Sequence, residues 1–342
     1  MMLIVRKSSL FLLFIAFSVS SYAQSETDIG DYLKAGPEDA GKLMSAYLSP
    51  MITAASYGFN GGWFTTAKAH KTLGFDLGVT VNGVFIPSSN NYFRPAELGL
   101  KTTTLVSPTS GNAPTLVGPS ESTTYASTYG GQSVTFSGPK GLDFKDNFKI
   151  SGALAPTVQL GIGIVKSTDL KIRWMPEVTA GDTKVKYLGF GVLHDIKQHI
   201  PGIKHLPFDL SVLVGYTNLK GSTNIAGYVA SGDATKPQEL HYNMNAWLMQ
   251  ALISKKLAMV TFYGGLGYNA VKTTADVKGS YAFLPVTPVT PAINDPVAMS
   301  FKNNSFRVTA GMRLNLGPIY LSGDYTLQKF STVSVGLGVT VR

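Results

Sequence analysis

Residues 306–315 of the chain read FRVTAGMRLN, and this stretch alternates apolar residues with polar, basic or glycine residues. The last ten residues, 333–342, read VSVGLGVTVR and repeat the alternation. A period of two residues is typical of a β-strand with two unlike faces, because successive side chains point to opposite sides of a strand. Both stretches therefore predict strands whose apolar and polar faces meet different surroundings.

The same alternation recurs from residue 63 to the C-terminus and predicts an all-β fold. We expect a transmembrane antiparallel β-barrel of about twelve strands, since an even number of strands of roughly ten residues is typical of such barrels. The predicted strands are 63–72, 73–86, 96–106, 151–165, 168–179, 183–193, 207–223, 239–254, 257–280, 298–315, 318–329 and 332–342. The long connections 107–150, 224–238 and 281–297 then share one end of the barrel, as in outer-membrane barrels. A further hairpin around 116–136 would raise the count to fourteen.

The composition fits a surface that is partly non-aqueous. The chain has 342 residues, of which 44% are hydrophobic and only 14% are charged, whereas about 25% are charged in an ordinary soluble domain. It contains no cysteine, which excludes disulfide scaffolds, zinc ribbons and thiol catalysis. The soluble alternative is a secreted β-sandwich, but a sandwich of this size would normally be divided into domains by a linker. The membrane barrel is therefore the favoured interpretation.

The N-terminal residues divide into an export signal and a short segment before the barrel. Residues 1–23 have a basic start, an apolar stretch and a small-residue cleavage site, as in a cleaved secretory signal peptide. Residues 24–62 are acidic at first and then predict a helix that starts near Pro37 and that Pro50 should end or kink. Residues 63–342 form the predicted barrel, which we expect in the outer membrane because only helices and closed barrels satisfy their backbone groups in lipid.

The charged residues of the predicted strands lie on the polar face, which faces the lumen in a membrane barrel. An arginine or lysine that faces lipid costs about 2–4 kcal/mol at the bilayer midplane. The lumen-lining residues predicted in this way are Lys171, Arg173, Arg307, Arg313, Asp76 and Asp324. Bases outnumber acids in this set, so an open lumen would favour small anionic solutes. Alternatively, the acidic segment 25–39 folds into the lumen as a plug, or it remains solvated in the periplasm while the lumen is filled by its own ion pairs.

A second pattern surrounds the histidines His194 and His199. Ile196 and Ile200 lie on one side of a short stretch with helical spacing, and Lys197 and His199 lie on the other. We expect a short amphipathic helix in the periplasmic interface of the membrane, with a partner contact as the alternative. A metal site is not expected here, because residues five apart point about 140° apart around a helix.

No residue pattern indicates catalysis or a bound cofactor. No serine lies in a Gly-x-Ser-x-Gly turn, and the glycines at 264–267 lack the spacing and the following helix that phosphate binding needs. The basic charge is not accompanied by an aromatic-basic motif for nucleic acid. We therefore expect no enzymatic activity, no cofactor, no metal and no nucleic-acid partner.

Four stretches carry a family resemblance: GGWFTTA at 61–67, RPAE at 94–97, DLKIRWMP at 169–176 and HDIKQHIP at 194–201. They resemble an uncharacterised family of outer-membrane barrels from Bacteroidota, a domain of unknown function. The resemblance covers nearly the whole chain after the signal and implies an outer-membrane barrel without an assigned activity. The helical segment before a barrel of this size is also loosely similar to the long-chain fatty-acid transporter barrels.

The expected function is passage or binding of a small or amphiphilic solute across the outer membrane, with the lumen-lining bases along the path. The alternative is a non-transporting barrel that acts as a scaffold or partner in an envelope or secretion complex. The expected partners are outer-membrane lipid, a small anionic or amphiphilic solute and, for the scaffold, an envelope protein.

Overall fold

The computed structural model of the chain is a closed antiparallel β-barrel. It describes residues 29–129, 132–144, 152–203, 205–225, 236–281 and 293–341, so the predicted signal peptide lies outside the described residues. Within these ranges, ten strands form the ring: β1 Phe75–Phe85, β2 Gly152–Gly163, β3 Thr168–Ala180, β4 Thr183–Asp195, β5 Asp209–Asn224, β6 Glu239–Leu257, β7 Val260–Lys278, β8 Ser305–Leu316, β9 Ile319–Leu327 and β10 Thr332–Val341. Each strand pairs with the next along the chain, and β1 pairs with β10, which closes the ring.

The connections between strands give the barrel two unlike ends. The short-turn end carries the connections 164–167, 196–208, 258–259 and 317–318. The long-loop end carries the connections 86–151, 181–182, 225–238, 279–304 and 328–331. The predicted separation of long and short connections is therefore present.

Short strands in the long connections build a cap over the long-loop end, which we call the loop cap. Its pairings are Tyr92–Phe93 with Ala113–Pro114, Thr123–Tyr129 with both Thr103–Ser107 and Gln132–Gly138, and Ser280–Tyr281 with Ile293–Asn294. A further strand, Val297–Lys302, pairs with residues 272–277 of β7, near the long-loop end, and is not one of the ten ring strands. Single 3-10 turns at Ser88–Asn90 and Pro95–Leu98 complete the described part of the cap.

The strand count of ten corrects the predicted twelve, because two of the predicted strands are not in the barrel wall. Residues 63–72 form no strand and run through the lumen, where Trp63 is buried. Within 96–106, only the strand that begins at Thr103 is present, and it belongs to the loop cap. The hairpin predicted near 116–136 is present in the same cap, so the alternative count of fourteen is wrong as well. Alternation of polar and apolar residues occurs in any extended segment between unlike surroundings, and it does not identify the sheet that the segment joins.

The outer face of the barrel is apolar, whereas its inner face carries the charged strand residues beside apolar clusters such as that of Leu193, Leu213, Leu248 and Leu252. On β8, the side chains of Phe306, Val308 and Met312 are exposed, whereas those of Arg307 and Arg313 are buried. Outward-facing apolar residues of other strands include Leu77, Leu170, Phe190, Trp247, Leu321 and Leu337. None of the described helices is both long enough and apolar enough to cross a membrane.

The N-terminal segment passes through the barrel from the long-loop end to the short-turn end. A 3-10 helix, Ile29–Ala35, packs in the loop cap, and helix α1, Pro37–Phe59, continues into the lumen. Beyond α1 the chain has no regular structure until Leu73, whose N–H donates to the carbonyl of Gly163 at the short-turn end. We call residues 29–73 the threaded segment.

Helix α1 does not end at Pro50, which corrects one of the two effects predicted for this proline. It continues to Phe59, and Pro50 is buried within it. A proline inside a helix removes one backbone hydrogen bond and normally costs about 3 kcal/mol or more. Because α1 packs against β1, β2 and β7 inside the ring, tertiary contacts outweigh this local cost.

Candidate functional site: the filled lumen

Two arginines from different strands of the barrel hold the C-terminal end of α1. Arg173 on β3 donates from Nη1 to the carbonyl of Phe59 at 3.4 Å, and Arg307 on β8 donates from Nη1 to the carbonyl of Asn60 at 2.9 Å. The last carbonyls of a helix lack helical donors, and the C-terminal end of the helix dipole favours cations. The two arginines therefore anchor the helix end in the middle of the lumen.

The side chain of Trp63 fills the space beside Arg173. The guanidinium of Arg173 lies 3.8 Å from the centre of the indole ring, and the indole N–H donates to Oδ1 of Asn60 at 3.3 Å. The ring rests on Gly191 and Gly215, where a Cβ atom would lie 2.6 and 2.9 Å from ring atoms. Only glycine at these two wall positions leaves room for the indole.

Between Trp63 and the short-turn end, hydroxyl groups and a third arginine connect the threaded segment to the wall by hydrogen bonds. Arg313 donates from Nη1 to Oγ1 of Thr65 at 3.0 Å, and its guanidinium lies 3.8 Å from the ring centre of Tyr320. The hydroxyl oxygens of Thr66 and Ser254 lie 3.2 Å apart. These contacts continue the attachment toward the short-turn end.

His70 joins the threaded segment to three strands near the short-turn end. Its backbone N–H donates to Oδ1 of Asp169 at 2.8 Å, and its ring atom Nδ1 lies 2.8 Å from Oδ2 of the same carboxylate. Its Nε2 lies 3.2 Å from Oγ1 of Thr340 and 3.6 Å from Oδ1 of Asp76. The ammonium of Lys171 lies 3.9 Å from Asp76. We call these five residues the His70 cluster.

The His70 cluster has donor atoms of the kinds that bind metal ions or activate a hydroxyl group. One ligand atom each from His70, Asp76 and Asp169 lie within 4.8 Å of one another. However, both oxygens of Asp169 already accept from His70, and Lys171 brings a cation beside Asp76. Asp169, His70 and Thr340 also follow the order carboxylate, imidazole, hydroxyl, but Asp76 shares Nε2 with the hydroxyl. The contacts best describe a buried ion-pair cluster that fixes the threaded segment.

A polar cavity lies between the threaded segment and the wall beside this cluster. It has about 20 Å³ of space accessible to a water-sized molecule, and its lining includes Lys68, His70, Asp76, Lys171, Arg313 and Tyr320. Charged groups of both signs therefore face the same space. The cavity is the part of the described lumen in which a small polar molecule would meet them.

The six residues predicted to line the lumen all point inward, but most of them contact the threaded segment or the wall. Five are buried, and Asp324 is partly buried, where it accepts from the Tyr263 hydroxyl at 3.1 Å. Among the described residues, no carboxylate lies within ion-pair distance of Arg173 or Arg307. Peptide carbonyls of the threaded segment take the place of acidic partners.

Asp31, Glu38 and Asp39, the acidic residues of the N-terminal segment that the structure describes, lie at the long-loop end and not among these bases. Asp39 accepts from the backbone N–H groups of Lys101 and Thr102 at 2.9 Å each, and Glu38 pairs with Lys101 at 2.9 Å. Burial acts to raise the pKa of Asp39, but these hydrogen bonds hold it below its ordinary value. The prediction that the acidic segment 25–39 itself enters the lumen is therefore wrong for residues 29–39, which pack in the loop cap. The later part of α1 and residues 60–73 occupy the lumen instead.

The helix predicted around Ile196 and Ile200 is reduced to one 3-10 turn, Lys197–His199. Strand β4 continues to Asp195, so the apolar residues before the turn belong to the barrel wall. The ammonium of Lys197 donates to backbone carbonyls farther along the same connection and closes it into a compact loop.

Sequence reasoning missed the His70 cluster apart from Asp76 and Lys171. His70 lay in a segment predicted as a strand, so nothing indicated that it enters the lumen. Asp169 and Thr340 alternate with apolar neighbours, and they could have been assigned to the polar face together with Lys171. The sequence alone does not show that the threaded segment runs along the polar inner face of these strands.

The comparisons with known proteins identify a family but no activity. The profile described as "Family of unknown function (DUF6588)" matches residues 5–341. No curated protein matches the chain.

Three solved structures illustrate the similarity to known barrels. The translocator domain of the autotransporter NalP from Neisseria meningitidis is 12% identical with a TM-score of 0.32, over 88% of this chain and 98% of that chain. Ail, the attachment invasion locus protein of Yersinia pestis, is 7% identical with a TM-score of 0.28, over 79% and 100%. The transport unit of the autotransporter AIDA-I from Escherichia coli is 8% identical with a TM-score of 0.30, over 88% and 99%. At these TM-scores the similarities carry no functional argument.

Proposed function

The chain belongs to the DUF6588 family, a family of unknown function, and we propose its role from its own structure: an outer-membrane barrel, closed by its threaded segment, that presents the loop cap at the cell surface as a scaffold or recognition surface. The observation that carries this proposal is the combination of an apolar outer face with a lumen occupied by the chain itself.

The outer face supports a position in lipid. Contiguous apolar patches on soluble monomers rarely exceed a few hundred Å², whereas here outward-facing leucine, phenylalanine, valine and methionine side chains recur on every strand of the ring. The buried bases of the lumen complete the pattern, since charges are costly on a face that meets lipid. Long loops of bacterial outer-membrane barrels are extracellular and short turns are periplasmic. The loop cap is thus assigned to the cell surface.

The filled lumen supports a scaffold rather than an open pore. The threaded segment contacts the loop cap through Asp39 and the barrel wall through Asn60, Thr66 and His70. The loop cap shares a hydrophobic core with the threaded segment and with the long-loop ends of β6 and β7. In this core Tyr32 of the threaded segment packs edge to face on Tyr125, Tyr125 stacks on Phe136, and Tyr281, Val297 and Met299 are buried. A folded cap on a closed barrel is suited to binding a partner.

A second candidate is passage of a small anionic or amphiphilic solute after the threaded segment moves. The polar cavity beside Lys171 and Arg313 favours this candidate, because displacement of residues 60–73 would join the cavity to the rest of a basic lumen. Anion-selective current through the purified barrel would support it.

Single cysteine variants test the proposed orientation, because the natural chain has no cysteine. Ser89→Cys in the loop cap and Glu38→Cys at the start of α1 are exposed at the long-loop end, and Lys256→Cys is exposed at the short-turn end. A membrane-impermeant maleimide added to intact cells should label the first two and should label Lys256→Cys only after the outer membrane is permeabilised. Labelling of Lys256→Cys alone in intact cells would contradict the orientation. Labelling of Ser89→Cys without Glu38→Cys would contradict the path of the threaded segment.

A further inference from the structure

His194 and His199 lie close together at the short-turn end, outside the lumen site. The expectation from the sequence that this pair binds no metal rests on a single helix, whereas His194 lies on β4 and His199 lies in the 3-10 turn that follows. The Nε2 atoms of His194 and His199 lie 3.1 Å apart, the ring centroids lie 5.4 Å apart, and the ring planes are inclined by 27°. His199 is exposed and His194 is half-buried, so an ion can reach both from solvent. We propose that His194 and His199 chelate a divalent transition-metal ion, Cu²⁺, Ni²⁺ or Zn²⁺, at the rim of the barrel.

The separation of the two nitrogen atoms fits bonds to one metal ion. Bonds from histidine nitrogen to Zn²⁺ are about 2.0–2.1 Å long. With the Nε2 atoms 3.1 Å apart, two such bonds enclose an angle of about 98° at the ion. This angle lies between those of square-planar and tetrahedral coordination, the geometries that imidazole-bound copper, nickel and zinc adopt. The ring centroids lie 5.4 Å apart, so the two rings face each other end to end and their Nε2 atoms point at one another. Both rings must therefore turn toward an ion that binds beside the line between the nitrogens, and the other coordination positions of that ion are open to water or to a ligand.

Thr168 sets the tautomer of His194 that a metal ion requires. Its Oγ1 lies 2.8 Å from Nδ1 of His194, and its hydroxyl donates to the carbonyl of Lys166 at 3.3 Å. A hydroxyl has one proton, so Oγ1 accepts from Nδ1–H of His194. The other ring nitrogen of His194, Nε2, then carries the lone pair that faces His199. A hydrogen bond of this kind fixes ring orientation and raises ligand basicity in known metal sites.

The connection that carries His199 is held against the rim by its own hydrogen bonds. Oδ1 of Asp195 accepts from the backbone N–H of Lys197 at 2.8 Å. The side-chain amide of Gln198 donates to the carbonyls of Asp195 at 2.8 Å and Lys166 at 3.2 Å. The ammonium of Lys197 is engaged with backbone carbonyls of the same connection. His199 is therefore positioned over His194 before any ion binds.

Metal binding replaces one hydrogen bond in this pair. In the metal-free pair, Nε2–H of His199 donates to the Nε2 lone pair of His194. When the ion binds, the proton of His199 moves through solvent from Nε2 to Nδ1, and both Nε2 lone pairs bind the ion. The exchange conserves protons and needs no redox step.

A Cu²⁺ titration of tag-free, chelator-stripped protein in detergent, followed by electron paramagnetic resonance, tests the site. We expect one tight equivalent whose spectrum shows coupling to two imidazole nitrogens. His194→Ala and His199→Ala should each weaken binding by at least about tenfold, and Thr168→Val should weaken it by about tenfold through the lost orientation of His194. His205→Ala removes a histidine from the same connection and should leave the affinity unchanged.

Two results would overturn the proposal. One is a His194→Ala/His199→Ala double variant that binds Cu²⁺ as tightly as the natural chain. The other is a His205→Ala variant that loses as much affinity as the variants of the pair. Retained heat-modifiable migration in gels would show that the variants are folded barrels, and none of these outcomes depends on whether the lumen is open.

Discussion

At the scale of single residues, the lumen is held together by buried polar groups whose partners come from distant parts of the chain. Among the ion pairs of the described residues, His70 and Asp169 form the most enclosed one, with exposed fractions of 4% and 1%. Removing one partner of a buried ion pair leaves an uncompensated buried charge, which costs about 3–5 kcal/mol. The chain also contains an exposed pair of the same chemistry, His241 with Glu239 at 2.6 Å, which serves as a matched comparison.

We predict that His70→Ala lowers the free energy of unfolding by about 3 kcal/mol, because Asp169 keeps only a backbone N–H donor. His241→Ala should lower it by less than about 1 kcal/mol, as for other exposed ion pairs. Urea unfolding in lipid vesicles, followed by tryptophan fluorescence, measures both. Equal effects of the two substitutions would contradict the role of the His70 cluster.

The contact of the Trp63 indole with Gly191 gives a second prediction at this scale. A Cβ atom at position 191 would lie 2.6 Å from the indole, so Gly191→Ala should destabilise the barrel by about 1–3 kcal/mol or displace the ring. Gly323→Ala, on the outer face of β9, has its nearest atom at 3.9 Å and should change stability by less than about 0.5 kcal/mol. The same unfolding measurement applies, and a shift in the emission of Trp63 would report displacement. A neutral Gly191→Ala variant with unchanged emission would show that the indole does not rest on this wall.

Much of this residue-level detail was not predictable from the sequence. The inward direction of Arg173, Arg307 and Arg313 followed from alternation and from the cost of a charge in lipid. Their partners did not follow, because Phe59, Asn60 and Thr65 lie more than one hundred residues away along the chain.

At the scale of elements, the threaded segment is the feature that sequence patterns misassigned. Residues 63–72 were predicted as a strand and Pro50 as an end or kink of α1, yet the segment is one continuous path through the lumen. In both places, contacts with the surrounding wall outweigh local preference. The barrel strands were predictable because their own two faces meet lipid and lumen along their whole length.

The joint between α1 and the loop cap should depend on pH. The pKa of Asp39 is lowered by folding, so its stabilising contribution is complete above the pKa of the unfolded chain, about 3.9, and is lost as pH falls through the lower folded value. Asp39→Asn should therefore weaken the joint by about 1–2 kcal/mol at neutral pH and should differ little from the natural chain at strongly acidic pH. The weakening is measured by hydrogen exchange at the Lys101 and Thr102 amides. At each pH, the exchange rate of the variant is divided by that of the natural chain. Glu97→Gln, an exposed carboxylate of the cap, is the control, and an equal ratio at all pH values would contradict the assignment.

A disulfide tests whether residue 66 lies against the inner wall. The hydroxyl oxygens of Thr66 and Ser254 are 3.2 Å apart, so Thr66→Cys/Ser254→Cys should cross-link on oxidation. Ile253, the neighbour of Ser254, faces outward, and Thr66→Cys/Ile253→Cys should remain reduced. Gel mobility without reductant distinguishes the two variants. Cross-linking of the control pair to the same extent would place the segment elsewhere.

At the scale of the whole molecule, the architecture was largely predictable and the state of the lumen was not. An all-β barrel with long connections at one end and short connections at the other follows from period-two alternation and loop lengths. The count of ten strands and the closure of the lumen depend on where residues 29–73 lie, which is a matter of long-range packing. Closure of the lumen by the threaded segment therefore distinguishes a surface scaffold from a pore.

Single-channel recording of the purified protein in planar bilayers tests closure most directly. The natural chain should carry no steady current. His70→Ala should show brief openings, because this substitution releases the threaded segment at the short-turn end of the barrel. In the Thr66→Cys/Ser254→Cys variant, oxidation should keep the barrel silent. A steady current through the natural chain that persists after oxidation of this variant would contradict a lumen closed by the threaded segment.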